Sequence, residues 1–272
     1  MTAPFLKWAG GKARLVPKLE KLLPGDFEQR CYIEPFVGGG AMFFALEPQK
    51  AVLSDANEEL IQTYKAMRDD VDAVIGQLRK LAKRHSKRHY YLTRERFNHA
   101  AVPRDACVLA ARFIYLNKTC FNGLWRVNTS GFFNVPMGRY NNPQIVNEAT
   151  LRMASAALQH ASLISGDAMK LIHSRGKHDF IYADPPYDPI SRTSSFTGYA
   201  MAGFGHHAQQ ELAIALHEFD QRGGKFMISN SGTPLVRRLY ERFKIRRIAA
   251  PRSISAMGTG RVPVRELVIC NY

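Results

Sequence analysis

Residues 31–55 read CYIEPFVGGGAMFFALEPQKAVLSD. A short apolar run leads into a glycine turn at Gly38, and Ala41–Leu46 after it is typical of a buried helix. A second apolar run then delivers Asp55, which lies 17 residues beyond Gly38. In dinucleotide-type sheets an acidic residue about 20 residues beyond such glycines binds ribose hydroxyls. The stretch therefore predicts a nucleoside-binding half of an α/β sheet, although a tight turn in any α/β protein also accounts for the glycines.

The alternation of strand and helix resumes after residue 146. Helical stretches such as His206–Gln221 and Pro234–Phe243 separate short apolar runs. Strands that alternate with helices favour a mostly parallel sheet, so we predict an α/β fold with a Rossmann-like sheet. The predicted strands are Cys31–Glu34, Ala51–Ser54, Ala161–Ile164, Phe180–Ala183, Phe226–Ser229, Ile245–Ile248 and Leu267–Cys270.

Residues 56–145 interrupt that alternation. The segment is helical and basic up to residue 103, a helix follows at Ala106–Leu116, and Phe121–Arg126 contains the Asn-Gly signal of a β-hairpin. We therefore predict that residues 1–55 and 146–272 form a catalytic domain. Residues 56–145 would form an inserted, mainly helical module that carries a β-hairpin.

The chain is strongly basic. Its 272 residues include 38 Lys and Arg against 23 Asp and Glu, which gives a formal net charge of +15, while 46% of the residues are hydrophobic. A folded protein with such a charge favours a polyanionic partner. Several cations cluster between Lys80 and Arg96, where phosphate contact and a solvated helix face are both open interpretations.

The cysteine and histidine patterns point away from metal chemistry and from export. The four cysteines are far apart and form no Cys-x-x-Cys pair, which is typical of a reduced protein without structural zinc. His206 and His207 are adjacent, and neighbours on a helix point about 100° apart, so they cannot share a metal. Because the chain has neither an apolar signal segment nor a run of roughly 20 apolar residues, we expect a cytoplasmic protein without a metal.

Asp184-Pro185-Pro186-Tyr187 follows the predicted strand Phe180–Ala183 and suggests a reaction. The Asp184 carboxylate can accept a hydrogen bond from an amine, and the prolines fix the backbone so that the Pro185 carbonyl can accept another. Tyr187 offers a π-face to a planar base that has left a duplex. The quartet favours methylation of an exocyclic amine, and a Pro-Pro turn with a surface tyrosine is the alternative.

Three acidic residues, Asp55, Asp167 and Asp184, each lie just past a predicted strand. In open α/β sheets the ligand crevice lies at the carboxyl ends of the strands. We therefore expect these carboxylates to converge on one site.

The order of short motifs along nearly the whole chain resembles the DNA adenine methyltransferase (Dam) family, the D12 class of N6-adenine enzymes. In this family the cofactor motif comes first, the target-recognition domain next and the catalytic motif last. The matching segments are Phe5–Lys12, Glu34–Gly40, Ser54–Asn57, Tyr115–Asn117, Phe121–Leu124, Phe132–Pro136, Gly138–Tyr140, Asp184–Tyr187, Phe196–Tyr199 and Arg252–Ser255.

The resemblance implies S-adenosylmethionine as the methyl donor. Asp55 would accept hydrogen bonds from its ribose, and Asp167 from its adenine amine. A sulfonium cofactor carries no phosphate, so the glycine turn would serve close backbone approach rather than phosphate binding. The implied cofactor residues are Trp8, Lys12, Glu34, Phe36, Gly38, Gly40, Asp55, Asp167 and Asp184.

The resemblance also implies catalysis by Asp184, Pro185, Pro186 and Tyr187 on a flipped-out adenine in double-stranded DNA. Holding both N6 hydrogens would localise the nitrogen lone pair, which attacks the methyl group in line. Orientation and stabilisation of the developing positive charge suffice, without prior deprotonation of the neutral amine.

Target choice would depend on the inserted module and would favour 5'-GATC-3'. Cationic side chains match the guanine O6 and N7 acceptors, and apolar ones match a thymine methyl group. The implied roles are guanine edges for Lys7 and Arg126, the thymine methyl for Leu124 and Pro136, the flipped base for Phe121 and Asn122, and phosphates for Arg139, Tyr140, Arg252 and Ser253.

The chain departs from the family pattern at a few positions. Phe121 stands where tyrosine is commoner, Trp125 is unusual in the hairpin, and Gly258-Thr259-Gly260 replaces a more basic run. These differences concern the preference for the target sequence or for the bases that flank it. For Leu124 and Pro136, packing within the hairpin is an alternative to base contact.

Two other functions compete with this interpretation. One is a catalytically silent, sequence-specific DNA-binding protein, and the other is a protein-glutamine N5-methyltransferase, whose similar motif begins with Asn. Among DNA methyltransferases, the sequence is compatible with a solitary enzyme, a phage enzyme or the partner of a restriction nuclease. No obligate protein partner is evident.

Overall fold

The computed structural model describes residues 2–8, 10–99, 105–187, 204–250 and 264–272. The chain forms two compact units, and neither is one continuous segment. The first unit comprises Met1–Gly11, Gly38–Glu47 and Asn57–Ser165, and the second comprises Lys12–Val37, Pro48–Ala56 and Gly166–Tyr272. The assignment of residues 56–145 to DNA recognition stays a prediction.

A seven-stranded sheet has the order β3-β2-β1-β4-β5-β7-β6. Strand β1 is parallel to β2 and β4, β4 is parallel to β5, and β7 runs antiparallel to β5 and β6. The predicted Rossmann-like α/β sheet is therefore confirmed, with antiparallel pairing at one end. The strands are β1 Cys31–Glu34, β2 Ala51–Asp55, β3 Ala161–Ser165, β4 Asp179–Ala183, β5 Lys225–Asn230, β6 Lys244–Ala250 and β7 Val264–Cys270.

The second unit has an apolar core between its strands and helix α9, which comprises His206–Gln221. Ile33, Ile181, Ile228 and Ile269 come from four adjacent strands, and they belong to one buried cluster with Leu216 of α9. This packing gives the carboxyl ends of β1, β4 and β5 a rigid base. The described helices of this unit are α1 Val16–Glu20, α8 Ala168–His173, α9 His206–Gln221 and α10 Pro234–Leu239.

The first unit is mainly helical, and side-chain caps divide its sequence into separate helices. Asn57, Asp70, Ser86, Asp105 and Asn147 each accept a hydrogen bond from a backbone N–H in the first turn of the following helix. The described helices here are α2 Ala41–Leu46, α3 Glu58–Asp69, α4 Val71–Lys83, α5 Lys87–Asn98, α6 Ala106–Thr119 and α7 Glu148–Leu158.

Helix α6 is the centre of the first unit. It packs against α3, α4 and α5, and its buried residues occupy nearly its whole circumference. Such a helix lacks a polar face, which explains why its sequence is apolar without strong helical periodicity. The predicted helix at Ala106–Leu116 is thus confirmed and runs on to Thr119.

Trp125, which departs from the family pattern, is a core residue. Only 6% of its surface is exposed. Its ring stacks on Phe113 at a centroid distance of 3.8 Å and lies 4.5 Å from Phe133 and 5.5 Å from Phe97. Its position in the recognition segment therefore has a packing explanation.

The predicted hairpin exists, but its turn lies elsewhere than the Asn-Gly pair. Val127 and Phe133 form an antiparallel bridge, and the Asn128 N–H donates to the Phe132 carbonyl at 2.9 Å. The Asn128 side chain also accepts from the Phe132 N–H, which closes this turn. The Asn-Gly pair instead lies in the short 3₁₀ helix Phe121–Gly123 with left-handed φ values of 54° and 63°.

We expect Trp125→Ala to lower the free energy of unfolding by about 3–5 kcal/mol, because it empties a buried aromatic cluster. Phe132→Ala is the control, since Phe132 is partly exposed in the same hairpin and should cost less than about 1 kcal/mol. Urea unfolding of both variants measures this. Equal losses would contradict the core role of Trp125.

Candidate active site

Lys12 is the centre of a charged cluster in the second unit. It is only 5% exposed. Its Nζ lies 2.9 Å from Asp184 Oδ1 and 3.9 Å from Glu266 Oε2. A single ammonium thus faces two carboxylates from distant parts of the chain.

Sheet register places the two carboxylates at the same edge. Asp184 follows Ala183, the last residue of β4, and Ala183 pairs with Ile228 of β5. Strand β7 runs the other way, with Leu267 opposite Asn230 at the end of β5. The start of β7, where Glu266 lies, is therefore at the same edge of the sheet as the carboxyl end of β4, with β5 between the two strands.

Tyr187 completes the cluster. Its hydroxyl donates to Glu266 Oε2 at 3.0 Å. The Lys12 Nζ lies 4.7 Å from the centroid of the Tyr187 ring, within the range of a cation–π contact. The ring that we predicted to stack on a base is thus oriented by a carboxylate and an ammonium.

Buried amides fix the Pro-Pro segment. Gln209 Nε2 donates to the Pro186 carbonyl at 2.9 Å, and Asn230 Nδ2 donates to Gln209 Oε1 at 2.9 Å. Both amide side chains are fully buried. The Pro185 carbonyl accepts no hydrogen bond from the part of the chain that the structure describes, so its acceptor capacity is available to a ligand.

Burial shifts the proton equilibria of this cluster. It raises the pKa of Asp184, and the Lys12 ammonium opposes that shift. Burial also raises the pKa of Glu266. The Lys12 ammonium opposes this rise, whereas the negative charge of Asp184 adds to it. The pKa of the Tyr187 phenol lies well above its ordinary value, chiefly through burial, so this group stays a neutral donor.

The other predicted acids of this unit occupy distinct environments. Glu34 is buried and accepts from the Tyr32 hydroxyl at 2.8 Å. Asp167 accepts from the Lys170 N–H at 3.0 Å and so caps α8. The Gly166 N–H donates to the Asp55 carbonyl at 3.1 Å, which brings the segments of Asp55 and Asp167 together.

This donor set fits a cationic nucleoside cofactor without phosphates. The carboxylate of Asp55, half-buried at the end of β2, suits two ribose hydroxyl donors. Lys12 with Asp184 and Glu266 carries a net charge of −1 when both acids are ionised, which suits a sulfonium. Phe36, packed edge-to-face on Phe204 at 5.4 Å, adds an apolar ring to this unit.

In the first unit the glycine turn accommodates Trp8. A Cβ at Gly38, where φ is +46°, would lie 2.6 Å from Trp8 Nε1, and a Cβ at Gly39 would lie 2.8 Å from the Trp8 Cβ. The Tyr64 hydroxyl donates to the Gly38 carbonyl at 2.8 Å. At Gly40 φ is +66°. These glycines therefore allow the Trp8 indole to lie close to the backbone of the turn.

Several predicted DNA contacts of the first unit adjoin Lys7. Asn117 exchanges two hydrogen bonds with the Lys7 backbone, and the Lys7 Nζ lies 3.8 Å from the Tyr140 ring centroid. A Cβ at Gly123 would lie 2.4 Å from the Lys7 Cβ, which explains the glycine there. Burial lowers the pKa of Lys7.

The remaining predicted DNA contacts of the first unit lie between Phe121 and Arg139 and are half-buried or exposed. Phe121 is 46% exposed, and Asn122 beside it has a left-handed backbone. Arg126 Nε donates to Asn134 Oδ1 at 2.7 Å, which sets the direction of its guanidinium. Leu124 is half-buried, whereas Pro136 and Arg139 are exposed.

Two predictions lie outside the described residues: the Phe196–Tyr199 motif, and Arg252 with Ser253. Sequence reasoning missed Glu266, Gln209 and Asn230. An acidic side chain directly before the apolar run Leu267–Cys270 was the available signal for Glu266. The helix pattern of α9 and the strand pattern of β5 concealed the two amides.

Within the described ranges, no group of three or more His, Cys, Asp or Glu side chains is arranged to hold a metal ion. Nor does that part of the chain contain a helix with the length and apolar character needed to cross a membrane.

The chain is similar to known proteins over almost its full length. Residues 8–254 match the family described as D12 class N6 adenine-specific DNA methyltransferase. The type II methyltransferase M.MjaIII of Methanocaldococcus jannaschii is 41% identical, with 99% of each chain covered. M1.LlaDCHI of Lactococcus lactis subsp. cremoris is 40% identical over 99% of this chain and 95% of the relative. The DNA adenine methylase of Escherichia coli K12 is 35% identical over 97% of this chain and 93% of the relative.

The raised pKa of Asp184 predicts a stability effect with a defined sign. A carboxylate whose pKa is higher in the folded state loses stabilising free energy as pH rises through that folded pKa. Asp184→Asn removes this pH-dependent loss of stabilising free energy and leaves Lys12 facing the Glu266 carboxylate. We therefore expect the variant to gain stability relative to the wild type as pH rises from about 4 towards neutrality.

Urea unfolding over a pH series measures this difference. Asp72→Asn is the control: Arg152 lowers the pKa of the exposed Asp72, so that variant should lose relative stability only as pH rises at acid values below about 4, and should stay level from there to neutrality. A difference for Asp184→Asn that stays flat, or that favours the wild type towards neutrality, would contradict the raised pKa.

Proposed function

This chain belongs to the D12 class of N6 adenine-specific DNA methyltransferases, and from that membership we propose that it acts on a flipped-out adenine within 5'-GATC-3'. The enzyme transfers a methyl group to N6 of adenine in DNA. S-adenosylmethionine, when bound, supplies the electrophilic methyl group. Membership in this class argues against both a protein-glutamine methyltransferase and a catalytically silent DNA-binding protein.

We assign catalysis to Asp184, Pro185, Pro186 and Tyr187. The observation that carries this proposal is the fixed segment itself: Gln209 donates to the Pro186 carbonyl, whereas no donor among the described residues reaches the Pro185 carbonyl, which can therefore accept from a ligand. Asp184 Oδ1 is held by Lys12, and its second oxygen can accept from the target amine. The two acceptors would take both N6 hydrogens and localise the lone pair on the nitrogen.

The carboxylate of Asp184 then stabilises the positive charge that develops on N6. Prior deprotonation of the neutral amine is not required, because the proton becomes acidic only once the new N–C bond has formed. Asp184 is the adjacent base at that moment, and its raised pKa makes it a better acceptor than an ordinary aspartate. Orientation and electrostatics therefore supply most of the catalysis that this segment provides.

We assign cofactor binding to residues whose chemistry suits a sulfonium nucleoside. Asp55 would accept from the ribose hydroxyls, and Asp167 would accept from the adenine amine with the oxygen that does not cap α8. Lys12 and Trp8 would contact the cofactor from the Phe5–Lys12 motif. The full proposed set is Trp8, Lys12, Glu34, Phe36, Gly38, Gly40, Asp55, Asp167 and Asp184.

Base flipping is supported by two aromatic side chains. The Tyr187 ring would stack the extruded adenine, and Phe121, exposed next to the left-handed Asn122, would enter the space that the base leaves. Phenylalanine retains the stacking surface of the commoner tyrosine and lacks only its hydroxyl.

Target recognition is assigned to residues 56–145 together with Lys7. Lys7 and Arg126 would contact guanine edges, and Leu124 and Pro136 would contact a thymine methyl group. The hydrogen bond from Arg126 to Asn134 supports this role, because it fixes one edge of the guanidinium. The exposed Arg139, with Tyr140, Arg252 and Ser253, would contact phosphates. A DNA substrate would place the enzyme in the cytoplasm of a bacterial or phage-infected cell.

We expect Asp184→Asn to reduce methyl transfer to a 5'-GATC-3' duplex by at least about 10³-fold, because the amide cannot accept the proton or stabilise positive charge. Glu241→Gln, at an exposed position of the second unit outside the proposed sites, should retain wild-type transfer. Single-turnover transfer of a labelled methyl group measures both. Near wild-type transfer by Asp184→Asn would refute the catalytic assignment.

We expect Arg126→Ala to lose about 1–3 kcal/mol of discrimination at one guanine while keeping its methylation chemistry. A set of duplexes in which each base of GATC is replaced in turn measures the transfer rates. Arg152→Ala, which removes an exposed arginine on α7, should leave the discrimination unchanged. If the wild-type enzyme prefers another sequence, the GATC proposal fails while the adenine chemistry stands.

A further inference from the structure

Glu266 contacts two side chains of the proposed catalytic cluster at once. It lies at the start of β7, and its side chain is only 14% exposed. Its Oε2 accepts from the Tyr187 hydroxyl at 3.0 Å and lies 3.9 Å from the Lys12 Nζ. The segment that carries it lies 79 residues from Tyr187 along the chain.

The contact with Tyr187 fixes a ring that otherwise has rotational freedom. The buried phenol donates to the Glu266 carboxylate, and this charge-assisted bond restricts the plane of the ring. Backbone rigidity alone cannot do this, because the two prolines restrict the main chain and leave the tyrosine side-chain torsions open.

The contact with Lys12 changes the charge balance of the cluster. Lys12 paired with Asp184 alone would form a neutral couple, and the neutralised carboxylate would be a weaker acceptor for the target amine. Glu266 adds a second negative charge to the same ammonium, so the cluster keeps a net charge of −1. In a largely buried site such a charge acts over several ångströms with little screening.

We propose that Glu266 is a positioning residue for methyl transfer: it orients Tyr187 through the hydroxyl, and it shares Lys12 so that Asp184 keeps its negative character towards the target amine. The inference rests on the proposed role of the Asp184–Tyr187 segment. Glu266 contacts neither substrate nor cofactor in this role and acts through Lys12, Asp184 and Tyr187.

Other ionisable groups next to the cluster do not replace Glu266. Tyr182 on β4 bonds to Ser229 at 3.1 Å, and burial with the nearby acids raises its pKa well above the ordinary value, so it stays neutral. Glu34 on β1 is engaged by the Tyr32 hydroxyl. Lys12, Asp184 and Tyr187 are therefore the groups through which a change at Glu266 would be transmitted.

The test separates the charge of Glu266 from its hydrogen bond. Glu266→Gln keeps an oxygen that accepts from Tyr187 but removes the charge, Tyr187→Phe removes the hydrogen bond but keeps the charge, and Glu266→Asp keeps the charge on a shorter side chain. Each full-length variant is assayed with S-adenosylmethionine and a GATC duplex for the single-turnover transfer rate, over a pH series and with duplex affinity measured in parallel.

We expect Glu266→Gln to slow transfer by about 10- to 100-fold, with duplex affinity within about twofold of the wild type. The wild-type rate should fall at acid pH as the coupled pair Asp184 and Glu266 takes up protons. In Glu266→Gln this acid limb should move to lower pH and become less steep, since Asp184 then faces Lys12 without a second carboxylate. Glu266→Asp should recover part of the rate, and Tyr187→Phe, which removes a hydrogen bond that lowers the pKa of both carboxyls, should move the acid limb to higher pH.

A purely structural role for Glu266 predicts a different result. The thermal midpoint of Glu266→Gln would fall while the acid limb stayed in place, and that outcome would overturn the inference. A wild-type rate and acid limb in Glu266→Gln would overturn it too, while leaving the proposed function intact. If the wild-type enzyme instead failed to methylate any GATC duplex, the proposed target would fail first, and the same comparison on the duplex that it does methylate would decide the role of Glu266.

Discussion

A buried ammonium needs negatively charged partners. In the second unit the buried ammonium of Lys12 draws two carboxylates to one edge of the sheet. Taking a lysine charge out of water costs several kcal/mol unless carboxylates compensate it. Asp184 supplies the direct partner and Glu266 the more distant one. Because the first follows a parallel strand and the second begins an antiparallel one, they meet only if β7 enters the sheet in reverse beside β5. The antiparallel end of an otherwise parallel sheet thus serves the charge cluster.

The same cluster shows a conflict between folding and catalysis. Burial raises the pKa of both Asp184 and Glu266, so their ionised forms are held at a cost to stability. A carboxylate that is poorly solvated responds strongly to a positive charge that develops nearby. The buried amides of Gln209 and Asn230 hold the adjacent backbone in place. Such local violations of stability rules are expected where a fold carries chemistry.

In the first unit, close packing of aromatic rings has the corresponding organising role. Glycines at 38 and 39 leave room for the Trp8 indole, and Gly123 leaves room for Lys7. Trp125 joins the hairpin to helices α5 and α6 by contacts with Phe97, Phe113 and Phe133. The side chains that we assign to DNA recognition therefore project from a packed base, which lowers the entropy cost of binding.

Local pattern was sufficient for the elements of this protein. Apolar runs of four residues located each strand that the structure describes, and the motif order led to the family, the cofactor class and adenine N6 as the target atom. Asp184 and Tyr187 were identifiable because their chemistry is contained within one short segment. Glu266, Gln209 and Asn230 were not, because each lies in an ordinary strand or helix pattern and acquires its role only through partners many residues away.

The Asn-Gly pair shows the same limit: its left-handed preference is local, but whether it closes a hairpin or a 3₁₀ turn depends on the packing of Lys7 against Gly123. The sequence by itself thus determined the fold class through its local residue patterns, and the reaction through the order of motifs that it shares with a known family. Tertiary structure alone decided which charges share Lys12, because the energy of a buried ion depends on everything that surrounds it.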